Sequence, residues 1–232
     1  MKPITIVIAT QEKNIHEFKQ NCPIYESLFK QMALKDLFTQ NTLDYKIVYN
    51  NTKGLSKLYN EFLDDNEYKD HILLFVHDDV VLEDIFLVEK LQKSPYTVTG
   101  LAGCKQADVN KQPAWHLMSE RNTYVGEVAH IKENKVWTTV FGETNSRALL
   151  IDGLFISVNV EEANKKKIRF DEDFTFHHYD LAFCLICNTQ KASVGVLPIR
   201  VIHYGLGDSM NTSEWRSSAV KFSKKYGNNT FR

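Results

Sequence analysis

Apolar residues in the first hundred positions occur either as short continuous runs or with helical spacing. Runs at 4–9 (ITIVIA), 46–49 and 71–76 (HILLFV) are rich in β-branched and aromatic residues and predict buried strands. Between them, 23–38 and 54–66 place apolar residues on one helical face and predict amphipathic helices. This alternation of strand and helix predicts a parallel sheet with helices on its faces.

The rest of the chain continues the alternation less regularly, and 104–148 is the part without a clear period. Its predicted elements, in order, are a helix within 83–92, a strand and glycine turn at 96–103, a hairpin arm at 135–144, an apolar segment at 148–160, a charged connector at 161–174, a helix at 176–190, a strand and turn at 192–209 and a closing helix at 213–227.

Together these elements predict an α/β fold with a mostly parallel, Rossmann-like sheet flanked by helices, in a single compact domain covering 1–232. Ligands of such sheets bind at the carboxyl ends of the strands. Asn50 and Asn51 follow the second predicted strand, and His77, Asp78 and Asp79 follow the third. These side chains are therefore candidates for a binding site.

Composition narrows the class of protein. A hydrophobic content of 43% supplies a sizeable core, and 28 basic against 29 acidic residues argue against a general nucleic-acid binder. No apolar run is long enough to span a membrane, and the apolar part of 1–10 is too short for a secretion signal. The cysteine spacing, including Cys184-x-x-Cys187 on an apolar helical face, favours core thiols over a zinc or redox site and fits a reducing cytoplasm.

The segment LLFVHDDVVLED, 73–84, begins as a predicted buried strand and continues directly into two adjacent aspartates. Mg²⁺ and Mn²⁺ prefer oxygen ligands, and Mg²⁺ is commonly held by one or two carboxylates together with substrate phosphates. Asp78 and Asp79, beside His77, could supply such ligands. The plainer interpretation is that both are solvated or helix-capping residues at a strand end, and the local sequence does not separate the two.

Three further residues are candidates for a site at the carboxyl edge of the predicted sheet. Asp180 opens a predicted helix, whose dipole favours the ionised carboxylate, although it could be a cap alone. His203 ends an apolar strand before a glycine-containing loop, where it could face a diphosphate or serve as a structural hydrogen bonder. Asp152 interrupts an apolar run beside Gly153, which permits close backbone approach or an ordinary turn.

In their order along the chain, these segments resemble the nucleotide-sugar glycosyltransferases of the GT-A fold, in the inverting family 2-like group. Within that group the sequence is similar to the streptomycin-biosynthesis-type glycosyltransferase domain of bacterial polysaccharide and glycan genes. The resemblance spans nearly the whole chain, and its motifs are ITIVIAT, GLSKLYNEF, LLFVHDDVVLED, IDGLFISV, IRFDEDFTFHHYDLAFCL, VIHYGLGDS and SEWRSSAVKF.

The resemblance implies a nucleotide-sugar half at about 1–100 and an acceptor-side half at about 101–232. Asp79, together with Asp78 or His77, would bind the Mn²⁺ or Mg²⁺ that bridges the donor diphosphate, because LLFVHDDVVLED replaces a motif of two acids one residue apart. His203 would complete the metal or diphosphate contacts. The donor-binding residues implied by the resemblance are Thr10, Asn50, Asn51, Asn60, His77 and Asp78.

On the acceptor side, the resemblance implies that Asp180 is the general base and that Trp115, Asp152, Gly153 and His177 line the acceptor or sugar pocket. We expect the pKa of Asp180 to lie near that of an ordinary aspartate or modestly above it, since a base of this kind acts by position as much as by basicity. The implied partners are a nucleoside-diphosphate sugar, with UDP favoured, and a glycan or lipid-linked acceptor.

Two alternatives stay open at this point. A nucleotidyltransferase also combines an α/β sheet with carboxylate-bound Mg²⁺, but IATQEKNIHEF lacks the glycine-rich phosphate loop that such an enzyme needs. Neither G-x-x-x-x-G-K-[ST] nor G-x-G-x-x-G occurs in the sequence, which argues against a P-loop or dinucleotide-binding fold as well. A non-catalytic glycan- or nucleotide-sugar-binding protein of the same fold would fit His77 in place of an acid. The cysteine usage indicates the cytoplasm, and the resemblance leaves contact with the inner face of the membrane open. Oligomeric state has no sequence signal.

Overall fold

The computed structural model describes residues 1–38, 43–205, 210, 212–227 and 231, with only the backbone described for 35–38. Its helices are α1 (Ile15–Asn21), α2 (Ile24–Phe38), α3 (Leu55–Asp64), α4 (Leu87–Gln92), α5 (Val160–Lys165), α6 (Tyr179–Thr189) and α7 (Ser213–Tyr226). Its strands are β1 (Ile4–Ala9), β2 (Leu43–Val48), β3 (Ile72–Val76), β4 (Val80–Leu82), β5 (Val98–Gly100), β6 (Ala102–Cys104), β7 (Tyr124–Lys132), β8 (Lys135–Val140), β9 (Ser146–Arg147), β10 (Leu150–Ile151), β11 (Phe155–Asn159), β12 (Val194–Val196) and β13 (Val201–His203).

The larger sheet has seven strands in the order β2-β1-β3-β11-β5-β12-β9. The three strands predicted from the first hundred residues, β1, β2 and β3, pair in parallel as expected. Strand β11, which begins after the Asp152–Gly153 turn, lies antiparallel between β3 and β5. The α/β class is therefore confirmed, with a mixed rather than a mostly parallel sheet. A sequence pattern shows burial but not strand direction, which depends on how distant segments pair.

The smaller sheet has six strands, and two of them adjoin predicted site residues: β4 begins directly after Asp79, and β13 ends at His203. Its main order is β10-β6-β7-β13-β4, and β8 pairs with β7 as an antiparallel hairpin. Strand β13 runs antiparallel to β4 and places His203 opposite Val80, one residue after Asp79. The small sheet thereby brings His203 to the end of β3, although 123 positions separate it from Val80 in the sequence.

The core is one continuous set of buried apolar residues drawn from both sheets and the helices. All four cysteines are buried and free, which confirms the prediction of core thiols. One local prediction was wrong: the segment expected to be a charged connector begins with the short helix α5, which Asn159 caps by accepting a hydrogen bond from the Glu162 amide at 3.4 Å.

Among the described residues, no helix has both the length and the apolar character that a membrane crossing requires. The assignment of 1–232 to one domain, with a division near residue 100, stays a prediction.

Candidate functional site

A cleft of about 940 Å³ opens where β1, β2 and β3 end, and we call it the nucleotide-side cleft. Four predicted donor residues line it: Thr10, Asn50, Asn51 and Asp78. Asp79, predicted to bind metal, lines it as well. The convergence follows from parallel pairing of the three strands, because their carboxyl ends share one edge.

Backbone hydrogen bonds fix the turns that form this cleft. The Asn51 amide donates to the Thr10 carbonyl at 2.9 Å, and the Asn50 amide donates to the Glu12 carbonyl at 2.7 Å. Asn50 has a φ of 48°, in the left-handed region that asparagine tolerates better than most residues. The turn is therefore held in one shape by its own contacts before any ligand binds.

Another wall of the cleft comes from two residues that lie in the motif IRFDEDFTFHHYDLAFCL but were not among the predicted site residues. Thr175 and Phe176 line it, and the Leu55 amide donates to the Thr175 carbonyl at 2.6 Å. Gly54 permits this approach, because a Cβ at that position would lie 2.8 Å from the Thr175 Cβ. The sequence signal was a glycine directly before a helix, but its partner, 121 positions away, could not be read from it.

Asn60 lies away from the cleft. Its side-chain oxygen accepts a hydrogen bond from the Phe170 amide at 2.7 Å, and its amide group donates to the Phe170 carbonyl at 2.9 Å and to Glu172 at 3.0 Å. The residue is buried and joins α3 to the segment before α6. The structure thus gives the predicted donor residue Asn60 a place in the scaffold.

Asp79 and His203 form the pair that could hold a divalent cation. The His203 Nε2 lies 3.3 Å from the Asp79 Oδ2, while the Asp79 Oδ1 is buried with no hydrogen-bond partner among the described residues. Burial raises the pKa of Asp79, but the hydrogen bond and charge of His203 outweigh it, so the pKa is lowered overall. Burial lowers the pKa of His203, and Asp79 reverses the effect and raises it.

An unpartnered buried carboxylate oxygen is costly unless a ligand completes its contacts. No group of three or more His, Cys, Asp or Glu side chains suited to a metal occurs in the described part of the chain. Asp79 and His203 therefore fit an open site, in which substrate phosphate and water supply the other ligands, and not a closed protein cage.

Asp78 and His77 point to different spaces. Asp78 lines the nucleotide-side cleft, and its Oδ2 accepts from the Cys22 thiol at 3.6 Å. His77 lines a second pocket instead, with its Nε2 3.0 Å from the Tyr179 hydroxyl and its ring stacked near Phe176. Of the two neighbours of Asp79, Asp78 is the one that faces the cleft at the ends of β1 and β2.

The second pocket, of about 340 Å³, adjoins the first, and we call it the acceptor-side pocket. Asp79 and Phe176 line both spaces. The predicted acceptor-side residues that line it are Trp115, Asp152, Gly153, His177 and Asp180. Segments separated by more than sixty positions therefore meet at one pocket beside the end of β3.

Asp180 lies in the first turn of α6 and is partly buried in this pocket. Burial and the charge of Asp152 raise the pKa of Asp180 to about 7, while backbone amides of Leu181 and Gly153 act in the opposite direction. We expected a pKa near that of an ordinary aspartate or modestly above it, and the pKa of Asp180 is raised by more than that. Desolvation dominates here, and the sequence could not show it because the pocket walls come from distant segments.

Asp152 is held by two donors. The Trp115 indole Nε1 donates to its Oδ2 at 3.0 Å, and the Leu154 amide donates to its Oδ1 at 3.1 Å. Trp115 is only 7% exposed and packs edge-on against Tyr124 and Phe141. Trp115 is thus largely covered by protein, and within the pocket lining its indole N–H holds Asp152 in place.

Gly153 and Tyr179 support the same turn. The Tyr179 hydroxyl donates to the Gly153 carbonyl at 2.7 Å, and a Cβ at 153 would lie 2.7 Å from that hydroxyl oxygen and 3.1 Å from the Asp180 Cβ. Since this hydroxyl proton is used on Gly153, the Tyr179 oxygen accepts from His77. A glycine is required at 153 for this close approach.

The histidine pair before α6 contains a residue that sequence reasoning missed. His178 is buried with a φ of 63° and contacts Ser218 of α7 at 2.8 Å, while the Ser218 hydroxyl donates to the carbonyl of the predicted residue His177 at 3.0 Å. Burial lowers the pKa of His178 to about 4, so it is neutral at physiological pH. This contact fixes α7 against the pocket.

Comparison with solved structures shows several similar folds. The chain aligns over its full length with 67% of a structure of residues 1–349 of TarS from S. aureus, at 14% identity and a TM-score of 0.50, and with the same share of its complex with UDP at 13% and 0.55. It also aligns, over 97% of its length, with 48% of GalNAc-T7 solved with UDP, GalNAc and Mn²⁺, at 10% identity and a TM-score of 0.50.

No protein-family model matches the chain, and no curated protein matches it in sequence. At identities of 10% to 14%, the structural similarity establishes the fold alone. The predicted GT-A glycosyltransferase fold is therefore confirmed. The chain spans two thirds of the TarS structure and about half of GalNAc-T7.

Proposed function

We propose that this protein is a metal-dependent, inverting glycosyltransferase that moves a sugar from a nucleoside diphosphate, with UDP favoured, to a hydroxyl group of a glycan or lipid-linked acceptor. The observation that carries the proposal is the position of Asp79. It lines both the nucleotide-side cleft and the pocket that holds Asp180, so a donor and an acceptor would meet beside it.

The donor would occupy the nucleotide-side cleft, with its nucleoside near Thr10 and the Asn50–Asn51 turn. This cleft is rich in polar side chains and backbone groups, and its turns are already fixed by hydrogen bonds. Preformed polar walls of this kind suit a nucleotide, because little ordering is required on binding. The presence of UDP in structures of TarS and GalNAc-T7, which share the fold, supports this choice.

Asp79 and His203, with Asp78 nearby on the cleft side, would hold the Mn²⁺ or Mg²⁺. A bound divalent cation supplies positive charge that neutralises the leaving diphosphate. The unpartnered Asp79 Oδ1 supports this assignment, and so does the Mn²⁺ in the GalNAc-T7 structure.

Asp180 would act as the general base. Its carboxylate would take the proton of the acceptor hydroxyl while the acceptor oxygen forms a bond to the anomeric carbon. The bond from that carbon to the diphosphate oxygen breaks, and its electron pair leaves with the diphosphate. One displacement from the face opposite the leaving group inverts the anomeric centre. A base with a pKa of about 7 is matched to this proton transfer near neutral pH.

Asp152 and Trp115 would position this base. The charge of Asp152 helps to raise the pKa of Asp180, and the Trp115 indole with the Leu154 amide keeps Asp152 in place. Tyr179 and Gly153 hold the first turn of α6 against the same loop. These residues need not touch substrate to affect the rate.

A thermal-shift titration with UDP and GDP, each with Mn²⁺, tests the proposal. A nucleotide at about a hundred times its Kd stabilises the folded state by about 2.7 kcal/mol, which for a chain of this size raises the Tm by roughly 5–10 °C. We expect the shift for UDP, its loss when EDTA removes the metal, and a much smaller shift in Asp79→Asn.

Asp70→Asn is the matched control, because Asp70 is exposed and precedes β3, whereas Asp79 follows the carboxyl end of that strand. The control should keep the full shift. A wild-type protein whose Tm responds to neither nucleotide would contradict the donor site. Binding of UDP without transfer to any acceptor would favour the alternative, a nucleotide-sugar-binding protein that keeps the fold without turnover, for which His77 in place of an acid is the supporting observation.

A further inference from the structure

A row of three aromatic rings crosses the small sheet from its open edge to Asp79. In the hairpin, Trp137 of β8 lies opposite His130 of β7, and their rings stack at 5.6 Å with an interplanar angle of 28°. His130 in turn lies beside His203 of β13, with ring centroids 5.8 Å apart. The row thus joins the proposed metal pair to an edge strand.

Trp137 differs from the other tryptophans in exposure. It is 45% exposed, whereas Trp115 and Trp215 are each 7% exposed. One side of the indole is occupied by His130, and much of the rest is open. A large aromatic side chain held in place but half exposed is typical of a contact surface for a ligand, since its burial would be more favourable than its exposure to water.

The open surface of Trp137 faces a pocket and not bulk solvent alone. This pocket, of about 320 Å³, is also lined by Thr139, His130 and Phe141, and we call it the hairpin pocket. Its volume lies at the lower end of the range for small-molecule sites. Five residues line both it and the acceptor-side pocket, so one extended molecule can occupy the two spaces: Trp115, Asp152, Leu154, His203 and Gly205.

We propose that the hairpin pocket is a carbohydrate subsite, in which a sugar ring of the acceptor stacks on the indole of Trp137 one or more units away from the reacting hydroxyl. The term acceptor rests on the proposed function. A pyranose ring has a C–H face, whose partly positive hydrogens suit the negative face of an indole, and hydroxyl groups at its edge. Thr139 and Asp152 line the pocket and can form hydrogen bonds with those hydroxyl groups.

The hairpin pocket is lined by both polar and apolar side chains, and this mixture favours a sugar over a lipid chain as its occupant. A lipid chain would cover the polar groups of Thr139 and His130 and the charge of Asp152 without offering them hydrogen bonds, which is unfavourable for an apolar ligand. A sugar offers hydroxyl groups to the polar side chains and a C–H face to the Trp137 indole. The acceptor would accordingly contain at least two sugar units, the reacting one beside Asp180 and another on Trp137.

The test is two-dimensional NMR of the tryptophan indole N–H groups in ¹⁵N-labelled protein. The probes are gluco-, galacto- and N-acetylglucosamine oligosaccharides of one to four units. We expect an oligosaccharide of two or more units to shift the Trp137 signal and to bind about tenfold more weakly to Trp137→Ala. Trp137→Phe should restore part of the affinity, because it keeps an aromatic face.

Val136→Ala is the matched control, because Val136 is 51% exposed on the same strand but alternates to the opposite face from Trp137. It should leave the affinity unchanged. The proposal is overturned if no oligosaccharide moves the Trp137 signal, or if Trp137→Ala binds as tightly as the wild type. UDP binding is measured on the same sample: sugar binding at Trp137 without UDP binding would refute the proposed function and keep the subsite.

Discussion

The two sides of the cleft are built in different ways. The nucleotide-side cleft is made from turns that directly follow β1 and β2, and its backbone groups bond to each other across those turns. The acceptor-side pocket is made from side chains of distant segments, namely Trp115, Asp152, Asp180 and the histidines around them. The nucleotide side is assembled mainly by local sequence and parallel pairing, with Thr175 and Phe176 added from a distant segment, and the acceptor side by tertiary packing.

The difference has an energetic counterpart. On the nucleotide side, the backbone amides of Thr10, Asn50 and Asn51 all donate hydrogen bonds to backbone carbonyls. On the acceptor side, Asp180 has its pKa raised to about 7, so its ionised form is disfavoured by the fold. Residues kept in an unfavourable state mark functional positions, because the rest of the structure must compensate for them. The acceptor side is therefore where activity and stability should oppose each other.

The largest expected effect is that of Asp180→Asn. Loss of the base should lower the transfer rate by about 10²- to 10⁴-fold and leave UDP affinity unchanged, because Asp180 does not line the nucleotide-side cleft. At pH 8 the same variant should raise the free energy of unfolding by roughly 1–4 kcal/mol, because it removes a carboxylate that the fold disfavours once it is ionised.

Transfer assays, UDP calorimetry and urea unfolding at pH 8 measure these three quantities. The exposed control Asp70→Asn should change the unfolding free energy by less than about 0.5 kcal/mol. A variant of Asp180 that retained full transfer would refute the base assignment, whatever its stability.

A second effect concerns pH. The folded-state pKa of Asp180 is raised, so the native protein retains a proton that the unfolded chain loses, and the stability contributed by this group falls as pH rises from about 4 to about 7. Activity should change in the opposite direction: the transfer rate should rise about tenfold per pH unit below pH 7 and level off above it. A pH–rate profile with its lower limb centred near pH 4 would instead indicate an ordinary, solvated aspartate.

The smallest effect tests the positioning of Asp152. Trp115→Phe removes the indole donor to the Asp152 Oδ2 and should lower the free energy of unfolding by about 1–3 kcal/mol. Asp152→Asn removes the other partner, so a double-mutant cycle in urea should show a coupling of about 0.5–3 kcal/mol. Additive changes would mean that the 3.0 Å contact contributes nothing specific.

Much of the first hundred residues could be predicted because the signals there are local. Continuous apolar runs gave β1 and β3, the helical period gave α2 and α3, and the polar residues after each strand marked the nucleotide-side cleft. Asn60 shows the limit of this reasoning. It lies on the predicted helix, but its side chain bonds to Phe170, and no local pattern reveals a partner 110 positions away.

By itself, the sequence determined the α/β class, the parallel pairing of β1 to β3 and the identity of Asp79, Asp152, Asp180 and His203 as candidates. Only the tertiary structure decided that Asp78 and His77 face different pockets, that Trp115 orients Asp152 while Trp137 is exposed, and that Asp180 has a pKa near 7. Residue spacing records periodic burial, whereas desolvation and ring exposure depend on which distant segments surround a side chain.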